Sequence, residues 1–148
     1  MQTVLEVKQV TKQYGQQYAL DHVSLSIQKG EIYGLIGKNG AGKTTLLKTI
    51  SRLIHANSGT VSVFGSQNSK EWNEALRKIG TAIETPVAYN QMTAYQNLNY
   101  YCKVHQIAQP DQLIKETLAY VGLSNTGKKK FRNFSLGMKQ RLGIAIAL

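Results

Sequence analysis

The 148-residue chain is poor in three things: cysteine, acidic side chains and long apolar runs. Its single cysteine, Cys102, excludes an internal disulfide and fits a reducing compartment, where it reads as a small apolar filler on a helix. Eight Asp and Glu stand against eighteen Lys and Arg, a net charge of +10 and an isoelectric point near 9.8. That balance attracts anions, whether nucleotides, nucleic acid or an acidic membrane face, although an ordinary basic surface has the same composition. No apolar stretch approaches the ~20 residues that span a bilayer. The start, MQTVLEVKQV, lacks the basic and apolar regions of a signal peptide. A soluble, cytoplasmic chain is therefore expected. Tandem repeats and low-complexity linkers are absent as well. The 42% of hydrophobic residues suits a folded chain, and the length suits one domain with its own core.

What is present is patterned. TVLEVKQVTKQYG alternates apolar and polar residues, as a half-buried strand does, and HVSLSIQKG repeats the pattern up to Gly30. EIYGLIG, residues 31–37, is almost continuously apolar and predicts a buried strand of the parallel-sheet kind. KTTLLKTISRLI reads as a helix, SGTVSVFG as a short strand, and SKEWNEALRKIG as a helix with Trp72, Ala75, Leu76 and Ile79 on one face. From about Met92 the texture is helical. Thr93 and Gln96 form a capping box ahead of AYQNLNYYCKVHQI, and PDQLIKETLAYVGL closes near Gly122. SNTGKKKFRNF is a polar basic loop, and Ser135 is placed to cap the last helix. The class is α/β: a β-rich first part around a glycine loop, then a mostly helical stretch.

GKNGAGKT, Gly37 to Thr44, fits the phosphate-loop pattern G-x-x-x-x-G-K-[ST], known as Walker A. Glycines let successive backbone N–H groups turn toward one point and cradle phosphate oxygens, while the following helix presents its positive end to the same anion. Lys43 adds a full charge for the terminal phosphates, the Thr44 hydroxyl is placed for Mg²⁺, and Thr45 can donate to phosphate. Average composition gives such a match by chance in roughly one chain of this length in a few hundred. Here an apolar segment precedes it and an apolar helix follows. A dinucleotide site is not supported: the glycine spacing differs, and no acid lies about twenty residues on. Tyr14 stands 23 residues before Gly37. Its ring could stack on a base, which is worth about 1–3 kcal/mol, or serve as ordinary packing.

Tyr14, the GKNGAGKT loop and the closing FSLGMKQRLGIAIAL stand in the order found in nucleotide-binding subunits of ABC transporters, which the chain resembles over essentially its whole length. The resemblance implies a P-loop NTPase of ABC type: an ATP-binding core at 1–87, a helical subdomain at 88–134, and the start of the signature helix at 135–148. It implies ATP and Mg²⁺ as cofactors. Nucleotide contacts would come from Tyr14, with Ala19 packed beside it, and from Gly37, Lys38, Asn39, Gly40, Ala41, Gly42, Lys43, Thr44 and Thr45. Phe134–Met138 stands where the family has its signature L-S-G-G-Q. Ser135, Gly137 and Met138 would there address ATP held by a second subunit, in a homodimer or pseudo-dimer. Leu136 replaces the first glycine and Met138 the glutamine, so a glutamine contact is lost while the helix start remains. Glu84, in IGTAIETP, occupies the place of the family's Q-loop glutamine, as a second metal ligand and catalytic group beside Lys43.

Glu84 together with SLGMKQRL is similar to the subgroup that exports, or gives immunity to, peptide antibiotics such as bacitracin and lantibiotics. The implied partner is a membrane-spanning subunit, met through Tyr89, Tyr95, Tyr100 or Tyr101, which would hold the protein on the inner face of the membrane. Nucleic acid is not expected. KKKFR at 128–132 could meet acidic lipid headgroups or simply be solvated. The family's Walker B carboxylates and switch histidine have no counterpart: no Asp or Glu follows Glu116, and His22, His55 and His105 precede the signature. The expectation is an N-terminal fragment that binds nucleotide but hydrolyses little or none. The rival readings are a soluble ABC-type ATPase acting on nucleic acid or ribosomes, and a non-catalytic nucleotide sensor.

Overall fold

Alternating apolar and polar residues through the first 28 positions produce a long hairpin, β1 (Thr3–Tyr14) against β2 (Gln17–Gln28). The computed structural model describes residues 2–66, 69–83 and 88–148, which group into two units, Met1–Ile79 and Gly80–Leu148. In the first unit, β3 (Ser58–Val63) pairs with the other edge of β1, giving an antiparallel sheet of order β2-β1-β3. The register sets Val7 opposite both Leu25 and Val61, so apolar side chains accumulate on one face. Val7, Val10 and Leu20 bury against Leu46 of α1 (Lys43–Ile50). Val63 packs with Trp72 and Ala75 of α2 (Ser69–Leu76), and the Arg52 guanidinium covers the Trp72 ring at 4.4 Å.

The expected strand at 31–37 does not form. The segment pairs with no strand among the described residues, and Ile32 and Ile36 are 99% and 96% exposed. An apolar strand of the parallel kind is stable only between neighbours that satisfy its backbone and cover its faces. β1 already has both edges occupied by β2 and β3, so this sheet offers the segment no central place.

The second unit is built by end signals as much as by periodicity. α3 (Ala94–Val104) opens with a reciprocal capping box: the Gln96 N–H donates to Thr93 Oγ1 at 3.1 Å, and the Thr93 N–H to Gln96 Oε1 at 2.9 Å. α4 (Asp111–Tyr120) and α5 (Leu136–Ala147) pack with α3 around Leu98, Ile114, Leu118, Leu123, Phe131, Phe134 and Leu142. Arg141 of α5 donates to the Gly122 carbonyl at 3.0 Å, beyond the end of α4, where a cation meets the negative helix end. Asn97, fully buried, pins the approach to α3. Its Oδ1 accepts from the Tyr89 N–H at 2.7 Å, and its Nδ2 donates to the Thr93 carbonyl at 3.0 Å. Cys102 lies buried in this core, and burial pushes its thiol pKa up, so it stays protonated and packs as an apolar group.

Two outcomes follow for this unit. Thr93→Ala should cost about 1 kcal/mol, the usual loss on removing a cap, and Asn97→Ala more, because the Tyr89 N–H and the Thr93 carbonyl both lose a partner and a buried side chain is truncated. Urea unfolding of both variants checks the order. The Tyr95 hydroxyl donates to the Asp111 carboxylate, which raises the tyrosine pKa above its ordinary value near 10. The folded chain then holds this proton more tightly than the unfolded one. That stabilisation is complete below pH ~10 and is lost as pH rises through the raised value. The stability gap between the parent and Tyr95→Phe, measured across pH 8 to 11.5, should therefore close at the alkaline end.

Candidate functional site

Two locally specified features meet in the first unit. The hairpin turns at Gly15 and Gln16, with Gly15 at φ +57° in the first central position and Tyr14 paired to Gln17 across the turn. Tyr14, Gln17, Tyr18 and Ala19 line a cleft of about 360 Å³ from the hairpin, and Asn39, Gly40 and Gly42–Thr45 line it from the loop. The size is that of a small-molecule site.

Gly42 brings the two together. Its φ of +86° lies in the left-handed region, and a Cβ there would stand 2.2 Å from the Ala19 carbonyl oxygen. Only glycine permits this approach of loop to strand. α1 begins at the next residue with no side chain capping it and no acid in its first turn. The Leu46 N–H reaches the Gly42 carbonyl at 2.8 Å, so the earlier N–H groups of Lys43, Thr44 and Thr45 lack helical acceptors. The Lys43 ammonium donates to the Gly37 and Lys38 carbonyls at 2.6 and 2.7 Å, which ties the loop into a ring and leaves its third hydrogen free. Residues 37–50 carry three lysines and no acid. Unpaired N–H groups, a helix N-terminus and an ammonium without a carboxylate make an anion cradle, and a polyphosphate suits it by its negative charge and its many acceptor oxygens.

Most of the residues expected from sequence come together here. Tyr14, 53% exposed, shares the cleft with Ala19, Asn39, Gly40, Gly42, Lys43, Thr44 and Thr45. Gly37 and Lys38 act through their carbonyls, and the Ala41 N–H closes the loop on the Lys38 carbonyl at 3.2 Å. Ser135, Gly137 and Met138 belong to the second unit. There Ser135 Oγ caps α5 by accepting from the Met138 N–H at 3.3 Å, keeping its own hydrogen available. Gly137 faces open space. Glu84 lies outside the described residues. Sequence reasoning missed Gln17 and Tyr18, which enter the cleft because the register sets Gln13 opposite Tyr18 and Tyr14 opposite Gln17. The hairpin alternation was the available signal.

The profile of the family described as ABC transporter matches residues 20–148. The chain belongs to the ABC transporter family. Among its relatives, the bacitracin transport ATP-binding protein BcrA of Bacillus licheniformis is 43% identical over 148 residues, all of this chain and 48% of that protein. The lantibiotic transport ATP-binding protein SrtF of Streptococcus pyogenes is 40% identical over 146 residues, 98% of this chain and 61% of that protein. A solved structure described as the ATP binding subunit of an ABC transporter superposes with a TM-score of 0.82 at 30% identity, covering 98% of this chain and 61% of the other. This ABC family chain therefore spans about half to three fifths of the length of these relatives. No helix among its described residues is long and apolar enough to cross a membrane.

The contact of Gly42 with Ala19 gives a direct test. Gly42→Ala forces a strained backbone and a clash with main-chain oxygen, so it should abolish measurable nucleotide binding. It should also cost more than the ~1 kcal/mol of an ordinary surface glycine exchange. Thermal unfolding with and without ATP reads both effects.

Proposed function

We propose that the chain is the ATP-binding subunit of an ABC transporter in which the Gly37–Thr45 loop holds the phosphates and Tyr14 stacks on the base. The observation that carries this is the uncapped start of α1 beside Lys43, in one cleft with Tyr14. Main-chain N–H groups and the Lys43 ammonium would bind the phosphate oxygens, with Gly42 letting the loop sit close to β2. Mg²⁺ would be held by the exposed Thr44 hydroxyl and the phosphates themselves. Among the described residues no cluster of three metal-ligating side chains exists, and Glu84 is proposed as a further ligand and catalytic group on sequence position alone. We assign residues 1–87 as the ATP-binding core, 88–134 as the helical subdomain and 135–148 as the start of the signature helix. Ser135 and Gly137 would then address ATP on a second subunit through the N-terminal end of α5.

A membrane-spanning partner and export of a peptide antibiotic are supported by the relatives, whose printed names are bacitracin and lantibiotic transport proteins. That partner would place the chain on the inner face of the membrane. For its docking surface, Tyr89 and Tyr100 are the better candidates among the four tyrosines. Both are exposed and packed edge to face at 4.8 Å, whereas Tyr95 is bonded to Asp111 and packs on the helical core.

Hydrolysis needs carboxylates to hold metal and orient water, and the sequence has no acid after Glu116. The 148 residues alone should bind ATP but show little or no steady turnover. Isothermal titration with ATP, alongside a phosphate-release assay, tests this. Lys43→Ala should weaken binding at least ten-fold, about 1.4 kcal/mol, as expected for losing a charge-assisted phosphate contact. Equal affinity in parent and variant would remove the proposal, and turnover abolished by Lys43→Ala would overturn the inactivity of these residues alone.

A further inference from the structure

We propose that Lys12 is a positioning residue for the base: its ammonium covers one face of the Tyr14 ring and leaves the other face to stack on the nucleobase. This rests on the reading of the cleft as a nucleotide site. The Lys12 Nζ lies 5.1 Å from the Tyr14 ring centroid, within the range of a cation–π contact. Lys12 and Tyr14 are two residues apart on β1, the separation that brings side chains to the same face of a strand. Lys12 is in neither of the ion pairs found nearby on this sheet, Lys8 with Glu6 and His22 with Asp21. Its charge rests over the ring instead.

The strand end that carries the pair is itself held in place. Asn57 Oδ1 accepts from the Gln13 N–H at 2.8 Å, and the Asn57 N–H donates to the Thr11 carbonyl at 2.8 Å. The backbone on both sides of Lys12 is thus anchored while Tyr14 projects, half exposed, into the cleft at the hairpin turn. A half-exposed ring samples several rotamers, and stacking a base on it costs the entropy of choosing one. A cation resting on one face removes part of that freedom before the nucleotide arrives and keeps water and other side chains off that face. The gain is preorganisation of the base subsite. Were Lys12 instead to act only by raising the positive potential of the cleft, ATP and a base-free polyphosphate would depend on it alike.

The experiment compares ATP with inorganic tripolyphosphate, which carries the phosphates without the base, on the full 148-residue chain by isothermal titration. Lys12→Met should weaken ATP roughly two- to five-fold, the scale of an exposed cation–π contact, and leave tripolyphosphate unchanged. Lys12→Arg, which keeps a cation able to lie over the ring, should restore ATP binding. In a Tyr14→Ala background, Lys12→Met should have no further effect on ATP, because the ring it orients is gone. Equal weakening of ATP and tripolyphosphate would overturn the inference in favour of simple charge attraction, and an unchanged ATP affinity would overturn it outright. Failure of the parent chain to bind ATP would instead strike the nucleotide reading itself, and this inference with it. Unaltered melting of Lys12→Met without ligand separates these effects from misfolding.

Discussion

The contact on which the first unit turns is the approach of Gly42 to the Ala19 carbonyl. A left-handed glycine sits where no side chain fits, and it seats the start of α1 against the second strand of the hairpin. Everything in the candidate site depends on that seating. The unpaired N–H groups of α1 are useful to an anion only if they open on the same cleft as the hairpin tip. Lys43 reinforces the arrangement from within, since the side chain offered to phosphate also ties the loop to itself through two carbonyls. The anion recognition proposed for this cleft would rest on backbone geometry first and on side-chain charge second.

The helical unit answers a different constraint, the satisfaction of chain ends. α3 is held at its start by a reciprocal cap and by Asn97, whose buried amide pairs with the Tyr89 N–H and the Thr93 carbonyl. α4 is closed by Arg141 reaching from α5, so a single guanidinium serves both the end of one helix and the packing of two. The start of α5 then stands with an exposed Gly137 and a hydroxyl at Ser135, amid six cations and no acid from residue 121 onward. Both units thus present a helix start in a positive setting, and that of α1 opens on the cleft it shares with Tyr14.

Much of this was legible in the residues because it is encoded over short distances. The capping box at Thr93 and Gln96, the Ser135 cap, the glycine loop and the two alternating strands involve neighbours within a few positions, where stereochemistry decides without help. The family resemblance rested on the same local motifs and was upheld by the match over residues 20–148. The segment 31–37 was the instructive failure. Its composition called for a buried strand, but a strand exists only with partners, and pairing is a property of the sheet.

Sequence by itself therefore determined the local devices: which residues turn, which cap, which loop can cradle phosphate, and which helix faces are apolar. Tertiary structure alone decided that Gln17 and Tyr18 line the cleft, that Lys12 lies over Tyr14, that Tyr95 is tied to Asp111, and that Ile32 and Ile36 face solvent. The physical reason is range. Backbone stereochemistry and capping act across three or four residues, whereas strand register, ring contacts and burial depend on what distant parts of the chain bring alongside.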